Sequence, residues 1–391
     1  MSTDLINALS HEARNAPLSG IIEIVNAGRL RKDLIPLWAG EADLPTPDFI
    51  CEAAIKSLKE GETFYTWQRG IPELRQAISD YYSQTYNVPV GVDRICVTGS
   101  GMQAIQLAVA AVTSAGDEVI VPTPAWPNMA AAVELRGAKA VTVPMSFEAT
   151  GWQLDKARLE AAITPRTRAI FLNSPCNPTG WVASEEFLKD VLQIARERGV
   201  WIIADEIYGQ FHYGNAKTAP SFLTISTPDD PVIYVNTMSK NWAMTGWRLG
   251  WIAAPAQLGQ VLENLVQYST SGVPAFNQRA AVAALQNGQD FLEEQIAKAA
   301  KGREILLNGF ASADSIQASA PAGAFYYFFS VDGVTDTRRF ALDLLEQTGV
   351  GLAPGTAFGD AGSNFVRLCF ARRHDHLEMA VDRIREFLKR G

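Results

Sequence analysis

The chain reads as an α/β protein: a mostly parallel central sheet flanked by helices, followed by a smaller α/β domain. Three observations predict this. Short apolar runs rich in Val and Ile recur along the first three quarters of the sequence. An amphipathic helical stretch separates most of them from the next, which is the alternation of a parallel sheet covered on both faces. After about Gly288 the rhythm changes, and an aromatic strand is set between long helical segments.

Taken in order, residues 1–45 end in the turn-rich run Ala39-Gly40-Glu41-Ala42-Asp43-Leu44-Pro45-Thr46-Pro47, where glycine and prolines dictate a loop. This N-terminal segment is expected to join the small domain. Residues 46–287 are expected to form the large domain. There Arg94–Thr98 is a strand leading to a helix from about Met102, and Glu118–Val121 a strand leading to a helix from about Pro127. Ala169–Leu172 precedes a helix over Ser184–Arg198, and Val200–Ala204 is a strand buried on both faces. Residues 288–391 are expected to form the small domain. Its parts are a long helix through Phe310, the strand Phe325–Phe329, a helix near Thr337–Gln347, the strand Phe365–Leu368 and a final helix.

Composition excludes several function classes. With 34 basic against 42 acidic residues the net charge is −8, and no long basic run exists, so nucleic acid and anionic membranes are not expected partners. No apolar stretch has the length of a membrane span, and Met1-Ser2-Thr3-Asp4 lacks a signal-peptide pattern. Cys51, Cys96, Cys176 and Cys369 are scattered without CxxC spacing, which suits reduced thiols in a cytoplasmic protein and no metal site.

The chemistry concentrates at strand ends, where open α/β sheets place ligands. Lys240 follows the β-branched run Val232-Ile233-Tyr234-Val235, with Thr237 and Ser239 before it and Arg248 eight positions on. A lysine there can form a Schiff base with an aldehyde cofactor, and the arginine can clamp a phosphate. Thr98-Gly99-Ser100-Gly101-Met102 lies between a strand and a helix, so it is either a plain turn or a phosphate cradle of backbone N–H groups. Asn177, in Asn173-Ser174-Pro175-Cys176-Asn177-Pro178-Thr179-Gly180, can offer its side-chain amide, or the loop simply leads into the next helix. Asp205 ends a buried strand and needs a cationic partner to ionise there, unless it is a helix cap. Tyr208 follows three residues on. An amine, a carboxylate for a ring nitrogen, donors for a ring hydroxyl and a phosphate cradle together match every polar feature of pyridoxal 5′-phosphate.

The chain resembles the class I/II aminotransferases, fold-type I pyridoxal-phosphate enzymes, over nearly its whole length. The pattern S-K-x-x-x-x-x-G-x-R is met by Ser239, Lys240, Gly246 and Arg248, N-P-x-G by Asn177 to Gly180, and D-x-x-Y by Asp205 and Tyr208. The resemblance implies that Lys240 holds the cofactor and that Asp205 pairs with its pyridine N–H. It implies that Asn177 and Tyr208 bond its phenolic oxygen, and that Trp126 stacks on its ring. Ser100, Gly101, Met102, Thr237 and Arg248 would hold the phosphate. Tyr65 would reach the phosphate of a partner subunit in a homodimer with shared sites. Arg367 would fork onto the substrate carboxylate, with Gly40 beside it.

The implied activity is ping-pong amino transfer between an L-amino acid and a 2-oxo acid. The donor is aspartate or glutamate if a basic residue such as Arg69 lines the pocket. It is aromatic or broadly neutral if Trp67 does. Met102 stands where some aspartate-using members carry a basic residue, and Gln267 to Phe276 contains no arginine. A carbon–sulfur β-lyase on the same scaffold would keep every cofactor residue. A regulator that borrowed this fold would need a basic DNA-binding segment, which residues before Gly40 do not supply.

Overall fold

The computed structural model describes residues 2–390. Its centre is a seven-stranded sheet. In chain order the strands are β1 (Ile95–Thr98), β2 (Glu118–Thr123), β3 (Lys139–Pro144), β4 (Thr167–Asn173), β5 (Trp201–Asp205), β6 (Val232–Thr237) and β7 (Gly250–Ala253). They lie side by side as β1-β7-β6-β5-β4-β2-β3. The pairs along β6-β5-β4-β2-β3 are parallel, and β7 runs antiparallel to both β6 and β1. All strands but β7 therefore end on one edge of the sheet, which is where the singled-out loops emerge.

Every residue of β1, β2, β6 and β7 is buried. Helices on both faces leave no solvated side, which is why these strands read as continuous apolar runs rather than alternating ones. The helices are bounded by local chemistry. α1 spans Asp48–Lys59, and α2 (Pro72–Tyr86) begins on a proline and ends at Asn87 in the left-handed region. α3 (Gly101–Val112) is capped by Ser100, and α4 (Glu185–Arg198) runs from a Ser184 cap to Gly199 at φ +64. α5 (Ala275–Asn287) packs on α1, and its Arg279 bridges Glu62 and Glu73 at 2.8 and 3.0 Å.

A second sheet is built from β8 (Ile316–Ala318), β9 (Tyr326–Val331), β10 (Ala353–Pro354) and β11 (Phe365–Cys369), in the order β8-β9-β11-β10. α6 (Gln289–Phe310), α7 (Thr337–Thr348) and α8 (His374–Leu388) accompany it. The N-terminal segment is stitched to this region. Ile35–Pro36 pairs in parallel with Val350–Gly351, and the Cys369 N–H donates to the Leu37 carbonyl at 2.9 Å. Among the described residues no helix is long and apolar enough to cross a membrane, and no cluster of potential metal ligands forms.

Candidate active site

The strand ends of the large sheet, the Gly40 loop and β11 enclose a cavity of about 640 Å³. That size holds a ligand together with a small substrate. Lys240 sits on its floor. β6 delivers it through Thr237, whose side chain caps the one-turn helix Met238–Asn241 by accepting the Ser239 N–H. The Lys240 Nζ donates to the Gly40 carbonyl at 2.7 Å. Burial pulls the amine down to about 8, so a large share is unprotonated in mildly alkaline solution.

Asp205, 2 % exposed, is the last residue of β5 rather than the residue after it. Its carboxylate receives one weak bond, from the Ile207 N–H at 3.4 Å, and makes no ion pair among the described residues. Burial pushes it up to about 7, against smaller opposing effects of that N–H and of Lys240. A buried carboxylate at a cavity wall with no ion-pair partner invites a protonated nitrogen. It caps no α-helix.

Asn173 ties the neighbouring loops together: its side-chain amide donates to the Asp205 carbonyl at 3.0 Å, and its oxygen accepts the Asn177 N–H at 2.8 Å. The Asn177 side-chain oxygen is occupied by Arg367 Nη1 at 2.8 Å, which leaves the Asn177 NH₂ as its free donor. The Tyr208 hydroxyl lies 2.7 Å from that of Tyr326, and burial holds its proton on far above the ordinary range.

Arg367 projects from β11 and is 3 % exposed. Beyond Asn177 it donates to the Trp38 carbonyl, and its guanidinium lies 4.6 Å from the Tyr326 ring and 4.8 Å from the Phe358 ring. It makes no ion pair among the described residues, and its Nε has no partner. So deeply buried a cation without an anion is costly, and its fork suits a carboxylate.

On the opposite side lies the start of α3, a glycine-containing helix N-terminus of a kind that suits an anion. Ser100 accepts the Gln103 N–H at 2.9 Å, so capping and any ligand contact share one hydroxyl. Gly101 and Met102 open a 12-residue helix whose first N–H groups point at the cavity end. Gly250 lies beneath them: a Cβ there would come within 2.7 Å of the Gly101 nitrogen and of the Asn236 carbonyl. Arg248, at φ +52, is fixed by a bond to the Thr245 carbonyl at 2.7 Å and borders the cavity without an ion pair among the described residues. Trp126 forms one half-buried wall, and Gly40 lacks a side chain where a Cβ would overlap the Tyr326 hydroxyl. The donor set fits a planar phosphorylated aldehyde with a ring nitrogen: amine, carboxylate, hydroxyl donors and anion cradle face one space.

Four of the expected residues do not line this cavity: Ser100 lies just behind Gly101, and Tyr65, Trp67 and Arg69 are turned elsewhere. Tyr65 is 94 % exposed and lines a separate groove on the outer side of Arg248. Trp67 is also exposed. Arg69 corrects the expectation of a pocket cation, because its guanidinium donates to the Asp93 and Ile95 carbonyls and lies against Gly259. Reading the sequence missed Tyr326, Glu41 and the N-terminal Ser19, Ile21, Ile22 and Val25, all of which line the cavity. Tyr326 was hidden inside an aromatic strand that reads as core. The N-terminal residues carry no local signal at all.

Residues 32–384 match the family described as aminotransferase class I and II. An aspartate aminotransferase of Pyrococcus horikoshii is 35% identical, with 95% of each chain covered. The solved aspartate aminotransferase of Thermotoga maritima superposes with a TM-score of 0.91 at 33% identity, covering 97% of this chain and 100% of that one. An alanine aminotransferase of Pyrococcus furiosus superposes at 0.90 with 30% identity, covering 98% and 100%. The buried carboxylate, amine and helix N-terminus at the strand ends are thus carried on a scaffold shared over nearly the whole chain, and the chain belongs to the class I and II aminotransferases, enzymes that transfer amino groups with pyridoxal 5′-phosphate.

Proposed function

We propose that Lys240 carries the cofactor and that the residues around it divide the work of amino transfer between an L-amino acid and a 2-oxo acid. One observation carries this reading: the low-pKa Lys240 amine, the unpaired Asp205 carboxylate and the carboxylate-free Arg367 all open into a single cavity. When bound, pyridoxal phosphate supplies the electron sink that makes the substrate Cα–H acidic. Asp205 would keep the ring nitrogen protonated. The Asn177 amide and Tyr208 hydroxyl would donate to the ring oxygen, and Trp126 would offer its face to the ring. Ser100, the Gly101 and Met102 N–H groups, Thr237 and Arg248 would hold the phosphate.

Arg367 grips the substrate α-carboxylate beside Gly40, and this orients the Cα–H towards Lys240. The Lys240 amine, when free, would take that proton from Cα as general base and deliver it to the cofactor's carbonyl carbon as general acid. Its lowered pKa suits both roles. Tyr65 is the residue we assign to the phosphate of a second copy, in a homodimer with shared sites; its full exposure on the outer side of Arg248 supports this. We also divide the chain into residues 46–287 as cofactor domain and 288–391 with 1–45 as small domain. The pairing of Ile35–Pro36 with Val350–Gly351 supports that grouping.

The test is to give the cofactor-loaded protein amino acids with and without a 2-oxo acid. Amino transfer that requires the oxo acid is expected. Release of pyruvate and ammonia without it assigns the site to a β-lyase instead.

A further inference from the structure

Resting on that reading, we infer that the amino donor has an uncharged, apolar side chain and that Ile21, Ile22 and Val25 form the wall that receives it. The cavity's cations limit what it can accept. Lys240, Arg248 and Arg367 line it, and among the described residues no other lysine or arginine does. All three are already committed, to the cofactor's aldehyde, its phosphate and the substrate α-carboxylate respectively. No positive charge is left for a second carboxylate.

The remaining surfaces reinforce this. Ile21, Ile22 and Val25 approach from the N-terminal helix Ile22–Gly28 and its cap, and Met102 and Ile105 add apolar surface from α3. The polar groups here, Ser19 and Asn128, are neutral. Glu41 contributes a negative charge, its carboxylate accepting the Thr245 hydroxyl at 2.8 Å. An anionic side chain would therefore lose its water, gain no cation and face Glu41. Arg69, the sequence's basic candidate, is spent on the Asp93 and Ile95 carbonyls.

A second copy does not change the balance from the segments beside Arg248. Residues 62–67 and 270–277, which border its outer side, contain no lysine or arginine, while Phe64 and Tyr65 are exposed there. The relatives differ in the donor they are named for, aspartate in one case and alanine in another, so family membership leaves this point open.

The experiment is a single-turnover screen. Cofactor-loaded protein is mixed with leucine, methionine, phenylalanine, aspartate or glutamate, and loss of the visible cofactor band is timed. The apolar amino acids are expected to react at least about tenfold faster per unit concentration than either dicarboxylate. Equal or faster reaction with aspartate or glutamate overturns the inference. No reaction with any amino acid is a different signal, and it sinks the aminotransferase roles beneath it. A second arm uses Ile22→Lys, placed at a residue 56 % exposed so that folding is undisturbed. It is expected to raise the aspartate-to-leucine rate ratio by about tenfold or more; an unchanged ratio removes Ile22 from the wall.

Discussion

Asp205 and Lys240 line one cavity with both side chains buried, and their ionisation links function to stability. Replacing Lys240 by Ala should abolish both the visible band of the loaded protein and its turnover, read by absorbance and by oxo-acid-dependent transfer. The free amine at about 8 also sets a pH dependence for loading. Attachment of added pyridoxal phosphate to cofactor-free protein should speed up as pH rises through that value and level off above it. A profile flat from about pH 6.5 to 9 would contradict this. Asp205 has the opposite signature. Its folded pKa, about 7, lies above the ordinary 3.8, so folding retains a proton that the unfolded chain releases. The ionised form therefore weakens the cofactor-free fold by an amount that grows from about pH 4 and is complete above 7. Asp205→Asn should melt higher than the parent at about pH 8 by roughly 2–6 °C and converge with it near pH 4. Glu206, also raised to about 7 by burial and held by Ser221 and Phe222, is present in both proteins, but the Asp205 charge adds to its rise, so the difference reports Asp205 together with the relief of Glu206. With Asp205 in the role proposed for it, as counter-charge to the ring nitrogen, the same substitution should lower turnover at least about a hundredfold.

At the scale of elements, the segments after β1, β2, β4, β5 and β6 supply cavity residues, and tight packing positions them. Gly250 on β7 shows how. Gly250→Ala would drive a methyl group into the Gly101 nitrogen and the Asn236 carbonyl, displacing the start of α3. The expected result is cofactor binding weakened at least about tenfold, measured by retention on dialysis, with a modest loss of melting temperature. Undiminished retention would mean the cradle does not depend on that close approach. Several elements were legible beforehand because one face or both had to be apolar. β5 and β6 read as buried runs, and the helix expected over Ser184–Arg198 is α4, capped by Ser184 and followed by Gly199. β3 left no such signal, since it is an edge strand with mixed exposure. Nor does the length of β7 betray that it alone runs antiparallel, a fact set by its partners on both sides.

At the scale of the whole molecule, the proposed sharing of sites makes a prediction that one chain cannot meet. Co-expressed Lys240→Ala and Tyr65→Ala chains should form mixed dimers in which one site regains both residues. Their activity should exceed that of either variant alone, approaching about a quarter of the parent if pairing is random and one site per mixed dimer is restored. Activity no higher than the Tyr65→Ala protein's own share would place Tyr65 outside the partner's site. Lys240, Asp205, Asn177, Tyr208 and Arg248, which all line the cavity, could be singled out in the sequence because their motifs follow strands, where covalent and charge chemistry demands particular residue types. That much, with the α/β class, was determined by the order of residues alone. What only the tertiary structure decided is everything that depends on distant segments meeting: Gly40 accepting from Lys240, Trp38 and Asn177 sharing Arg367, Tyr326 beside Tyr208, and Arg69 turned to backbone carbonyls. The physical reason is that a buried polar group is satisfied by whatever the fold brings within hydrogen-bonding reach, and such partners hundreds of residues away leave no periodicity or spacing in the sequence.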